Sequence, residues 1–205
     1  MKRTFFSLAL LLAVATLTAQ TKMTAREAAV KIADRILAST TYEFKNTKTG
    51  EIYKSVKKLP LDMDVKVACK YNNWHYTNGV TNMALMELGD KLGDKKYEKY
   101  VLKNMNFVFN EGNLDFFRKQ YDEAFKRDGW NAVRKLSWHM IFRGKRLDDN
   151  GPMGASLIEL QLKYPNDSFL GYINETAEHL NYGEPRLVDG TIARIWPHVN
   201  TCLLY

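Results

Sequence analysis

Apolar residues recur three and four positions apart along most of this chain, and that spacing predicts a succession of helices broken by glycine and proline. Thr24-Ala-Arg-Glu27 reads as a capping box, and Ala28, Ala29, Ile32, Ala33, Ile36 and Leu37 share one stripe of the helix it opens. From Thr41 to Asn73 the helical period fails. Tyr42 and Phe44 face Ile52 and Tyr53 across a Thr49-Gly50 turn signal, so a small β-hairpin and a lysine-rich loop are expected there, decorating the helices. The period returns over about Asn78 to Leu92, with Leu85, Leu88 and Leu92 on one face, and again through Tyr97, Val101, Met105 and Val108. Phe117, Tyr121 and Phe125 mark another helix, ended by Asp128-Gly129, and residues Trp130 to Arg143 continue a ragged helical pattern. Pro152 suits the first turn of a helix buried through Met153, Leu157 and Leu160, and Tyr164-Pro165 closes that helix. Phe169, Tyr172, Ile173, Ala177 and Leu180 supply its partner, and the segment after Asp189-Gly190 reads as a turn with a short extended piece.

The pattern repeats. Asn78-Gly79 answers to Asn150-Gly151, Leu85 to Leu157, Glu87-Leu88 to Glu159-Leu160, Tyr97 to Phe169 and Tyr100 to Tyr172, always 72 positions on. A repeat held in one register signals a supersecondary unit that buries its apolar face only against its copies. The expected fold class is therefore all-α, a helical array or toroid. In such an array the starts of equivalent helices open on the same side.

Composition narrows the setting. Lys2-Arg3 precede an apolar run from Phe5 to Leu17, followed by small residues, which is the form of a secretory signal peptide over residues 1–19. The run falls short of the ~20 apolar residues of a spanning helix, and no second run follows. Residues 20–205 then form one domain, without a membrane span. The net charge of +7 includes Lys2 and Arg3, and no helix-turn-helix, zinc-finger or RNA-binding signature accompanies it, so no nucleic-acid partner is expected. Cys69 and Cys202 lack metal-site or redox spacing; export permits a disulfide between them, and two separate thiols fit equally well.

Signature motifs of metalloproteases, serine hydrolases, P-loop proteins and Rossmann enzymes are missing. What remains is aromatic and acidic. Trp74-His-Tyr76-Thr-Asn-Gly79 sets two aromatics before one helix start, and Leu147-Asp148-Asp149-Asn-Gly151 sets two carboxylates before its repeat mate. Aromatics and carboxylates around a cleft suit a sugar. Either aspartate could equally be a helix cap, and Trp74 could equally be core packing.

Four segments in consistent order, WxYxNGV, ALxxLGDxLGDxxY, LDDxGxMGAxLIE and DGTxAR before a proline, resemble the unsaturated rhamnogalacturonyl hydrolases of glycoside hydrolase family 105, relatives of the family 88 unsaturated glucuronyl hydrolases. The resemblance runs from about Thr24 to Thr201. It implies an (α/α)6 barrel, represented here by an incomplete toroid of about three hairpins, in an exported enzyme, periplasmic or extracellular, without metal or cofactor. The implied partner is an unsaturated uronic-acid oligosaccharide left by pectin lyases. The implied chemistry is hydration: an aspartic acid protonates C4 of the enol ether, water adds at C5, and the hemiketal opens to release the neighbouring sugar. Asp149 matches one of the family's two active-site aspartates. Trp74, and more weakly Tyr76, match its sugar-facing aromatics, and Arg194 with His198 could pair with the uronate carboxylate, against the plainer roles of a surface arginine and a satisfied histidine.

After Pro197 the pattern departs. Leu203 stands where the family has tryptophan and Tyr205 where it has the general acid. The resemblance thus implies a truncated chain of little activity. The alternative class is an exported helical repeat protein that binds oligosaccharide or protein without chemistry.

Overall fold

The structure, a computed structural model, describes residues 23–109, 112–136, 138–142 and 147–193, with the backbone alone for 147–149. The expected signal peptide, Arg194, His198 and Cys202 lie outside the described residues. The chain divides into two compact units, one through Arg35 and the other from Ile36.

Helix α1 (Ala25–Ser39) crosses that division. It starts on the expected capping box: the Glu27 amide donates to Thr24 Oγ1 at 3.2 Å, and the Thr24 amide donates to Glu27 Oε2 at 2.8 Å. The bond from the Thr24 amide, and a second to the same oxygen from the Thr24 hydroxyl at 2.9 Å, hold the Glu27 carboxyl below its usual value. The expected buried stripe is only partly realised, since Ala33 is enclosed while Ile32 is 63% exposed.

In the second unit, strands β1 (Phe44–Asn46) and β2 (Ile52–Tyr53) form the expected hairpin, with Phe44 opposite Tyr53. The loop that follows is not all loop. Val65–Val67 adds a third strand, β3, on the other edge of β1, in antiparallel register with Phe44 opposite Val67. Val65-Lys66-Val67 carries the alternation of a half-buried strand, although only three residues long. Nor is the sheet a decoration. Phe44 is 1% exposed and meets Phe107, Phe116 and Phe117 at ring separations of 5.6–6.0 Å. Gln120, 1% exposed, donates to the carbonyls of Asp62 (2.6 Å) and Val65 (3.0 Å), tying the sheet to the helix that carries it.

The helices α2 (Tyr76–Leu92) and α3 (Lys96–Phe109) make one hairpin, and α5 (Leu147–Lys163) and α6 (Asp167–Glu178) make another. Between them runs α4 (Asn113–Val133), whose helical backbone breaks at Asp128 and Gly129, where the sequence placed its end, before a short further turn of helix reaches Val133. The ragged stretch after it is a loop with a 3-10 turn at His139–Phe142. Gly93, left-handed at φ 66°, terminates α2 and allows the short return to α3.

The repeat is real at the level of structure. α2 and α5 share the most extensive helix interface, and Leu85 and Leu157, like Tyr97 and Phe169, are buried mates. The buried face of α2, however, is not the leucine face. It runs through Asn78, Gly79, Asn82, Leu85, Met86 and Gly89, leaving Leu88 and Leu92 half-buried. Small and amide residues face the neighbouring helix because the two backbones come close. A Cβ on Gly79 would lie 2.4 Å from the carbonyl carbon of Pro152. Pro152 sits six residues into α5 and not in its first turn, so the helix tolerates a missing N–H where α2 crosses it.

Candidate functional site at the starts of α2 and α5

Residues 72–78 build the start of α2 from amides. The Asn73 side chain accepts from the Trp74 amide at 2.9 Å and from the Trp138 amide at 2.7 Å, binding the helix start to the turn after α4. Asn78 donates to the carbonyls of Lys70 and Asn73 at 3.0 and 2.9 Å. His75 caps the helix, its Nδ1 accepting from the Thr77 amide at 3.4 Å. These asparagines satisfy a chain that must turn sharply inside the protein, where an unpaired amide is costly. The sequence analysis passed over them. Their signal was the crowding of Asn72, Asn73 and Asn78 around one aromatic.

Trp74 occupies the centre. It is fully buried, and its indole Nε1 donates to Asn150 Oδ1 at 3.0 Å. Tyr172 lies edge-on at 5.0 Å, with Trp138 and Phe109 at 6.3 and 6.4 Å. Enclosing a ring of this size contributes about 4–6 kcal/mol of gross burial, so the residue acts as a keystone of the fold. The expectation that Trp74 lies against a sugar ring is therefore corrected: no face of the indole reaches solvent. Trp138, 1% exposed, holds φ at 63°, a left-handed conformation uncommon for a bulky side chain. Its amide bond to Asn73 and its stacking on Phe117 at 5.9 Å keep it there.

Tyr76 differs. It opens α2, is 46% exposed, and rests on the His75 ring at 4.6 Å. Asp149 is the third residue of α5, adjacent in sequence to the Asn150 that Trp74 grips, so the cap role considered for it does not match its helical position. The structure thus brings the starts of the two repeat-related helices together, as the repeat predicted.

A cleft of about 630 Å³ opens from this junction along α6. Asn150 and Tyr172 form one wall, and Asp115 and Arg118 at the start of α4 stand with Phe142 among the other lining residues. Glu175 and His179 continue it along α6. The Tyr172 hydroxyl donates to Asn150 Oδ1 at 3.3 Å, and burial pushes its pKa above the ordinary phenol range, keeping it a neutral donor. His179 begins a π-helical turn (His179–Gly183), and its Nε2 sits 2.9 Å from Glu184 Oε1, which orients the imidazole. The Arg118 guanidinium lies over the Phe142 ring, 4.7 Å from its centre. A volume of this size accommodates a small saccharide, and the lining offers charged, amide and aromatic groups together.

Beyond Asp189-Gly190 the chain makes the expected turn, with Arg186 bridged to Ile192 and the Asp189 carboxyl lowered by a hydrogen bond from the Thr191 amide. Cys69 Sγ lies 3.7 Å from the Ser39 carbonyl. Among the described residues no group of histidines, cysteines or carboxylates could hold a metal ion, and no helix is long and apolar enough to cross a membrane. No protein-family model and no curated protein matches this chain.

Proposed function

We propose that this chain belongs to an (α/α)6 glycosidase toroid acting on unsaturated galacturonyl-rhamnose oligosaccharides, with hydration of the C4=C5 double bond as its chemistry and Asp149 in the active site. The observation that carries this reading is the Trp74–Asn150 hydrogen bond. It joins the first residues of two hairpins that repeat 72 positions apart, as neighbouring rungs of a ring would be joined. Tyr76, at the first position of α2, and Asp149, at the third position of α5, flank this junction in sequence, and the cleft along α6 opens beside Asn150. Export to the periplasm accompanies the proposal, since lyase products are met there.

Equilibrium titration with an unsaturated galacturonyl-rhamnose disaccharide tests it. Saturable binding that a neutral disaccharide does not displace supports the reading, and no binding at millimolar ligand sinks it. Turnover separates a hydrolase from a helical binding protein. Any loss of enol-ether absorbance should fall by about 10²–10⁴-fold in Asp149→Asn if that carboxyl moves a proton. Retained binding, with any turnover proving independent of Asp149, would mark a binder instead.

A further inference from the structure

We propose that Arg118 holds the carboxylate of a uronic-acid residue in the cleft along α6, while Asp115 and Glu175 take its hydroxyls. The inference rests on the uronide reading above and names the ligand's anchor, a cation distinct from Arg194.

Three observations carry it. Arg118 lines the cleft with its guanidinium laid on Phe142, and among the described residues it forms no ion pair. A guanidinium seated over a ring still has N–H groups to donate, and their planar fork matches a carboxylate with two parallel hydrogen bonds. Asp115, three residues earlier on α4, and Glu175, on α6, line the same cleft. Ionised carboxylates only accept hydrogen bonds, so a sugar hydroxyl satisfies them and a second dense anion does not. Among the described lining residues, one guanidinium beside two carboxylates suits a ligand with a single negative charge and several hydroxyls, which describes a uronic acid better than phosphate or sulfate. Tyr172 and Phe109 complete the cleft with apolar ring surface, as a pyranose requires.

The test uses the chain with two ligands, the unsaturated galacturonyl-rhamnose disaccharide and its methyl ester, which keeps every hydroxyl and loses the charge. The chain should prefer the acid by about tenfold or more, and Arg118→Ala should reduce that preference to about twofold or less. Arg118→Lys, which keeps charge without the planar fork, should fall between. Inorganic phosphate should not compete. Arg118 is exposed on its helix, so unchanged melting temperatures in both variants are expected, with Arg118→Gln as a third substitution should the alanine variant unfold. A preference for the acid that survives in Arg118→Ala and Arg118→Gln, or displacement by phosphate, overturns the Arg118 assignment and leaves the uronide reading standing. Failure of the unsubstituted chain to bind either disaccharide overturns both.

Discussion

The indole nitrogen of Trp74 and the side-chain oxygen of Asn150 are hydrogen-bonded at 3.0 Å across 76 positions of sequence, both residues being buried. Tyr172 donates to the same oxygen. One amide therefore terminates two aromatic donors where two hairpins meet. Asn150→Ala should leave the buried indole N–H unpaired and the Tyr172 hydroxyl with the Ile141 carbonyl at 3.4 Å as its acceptor, destabilising the fold by about 1–3 kcal/mol, read by denaturant melts. Trp74→Phe should cost about 1–3 kcal/mol, and the double variant less than the sum of the two, because the second change removes a bond already broken. Additive losses would deny the coupling.

Gly79 and Gly151 are mates in the repeat, yet their surroundings are unlike. A Cβ on Gly79 would strike the backbone of Pro152 and Met153, whereas one on Gly151 meets open space. Gly79→Ala should cost about 1–3 kcal/mol or more by forcing the helices apart. Gly151→Ala should be neutral or stabilise by up to about 1 kcal/mol, since alanine restricts the unfolded chain and favours helix. Equal effects in thermal melts would contradict the close crossing of α2 and α5.

Glu98 on α3, 7% exposed, receives Lys163 Nζ at 2.6 Å and the Tyr164 hydroxyl, joining the far ends of the two hairpins. The Lys163 bond first, and the Tyr164 bond second, hold the Glu98 carboxyl below its ordinary value of 4.5. The same contact with Glu98 raises the Lys163 ammonium and the Tyr164 phenol. The carboxylate contributes stability above the unfolded-state value and loses it as pH falls through the lower folded-state value. Lysine and phenol contribute below their unfolded values and lose that contribution as pH climbs past them. The melting temperature should accordingly hold level through neutral pH, drop below about pH 4.5 and drop again above about pH 10. Glu98→Gln should lower stability at pH 7 by about 1–3 kcal/mol and flatten the acid limb. An acid limb unchanged in that variant would assign the pH dependence elsewhere.

Tyr76 and Trp74 are two residues apart and answer different demands. Tyr76→Ala should leave the melting temperature nearly unaltered and weaken uronide binding by about tenfold, the worth of one aromatic–sugar contact. Trp74→Ala should lose about 3–5 kcal/mol of stability through the cavity it leaves. Calorimetric melts with parallel ligand titrations check both, and a stable, binding-deficient Trp74→Ala would reverse the two roles.

How much of this was legible in the sequence varies with the range of the interaction. The capping box at Thr24 and Glu27, the Phe44–Tyr53 pairing and the buried run Tyr97, Val101, Met105 and Val108 all depend on residues a few positions apart, and all stand as read. The strand Val65–Val67 escaped because three residues carry too little period to outweigh the lysines around them. Leu88 and Leu92 were assigned to the buried face by hydrophobicity, but the close approach of α5 at Gly79 turns inward the side of α2 that carries Asn78, Asn82, Leu85 and Met86.

The sequence by itself determined most of the helical segments, the stretch after Val133 excepted, and that two hairpins share one design, since capping, periodicity and a repeated register are local properties written residue by residue. Only the tertiary structure decided that Trp74 is enclosed while Tyr76 is open, that Asn73 and Asn150 tie the helix starts together, and that Arg118 shares a cleft with Asp115 and Glu175. The reason is physical. Burial and hydrogen-bond partnership are set by what arrives from distant parts of the chain, and an aromatic or an asparagine reads the same in sequence whether its partner is water, a ligand or residue 150.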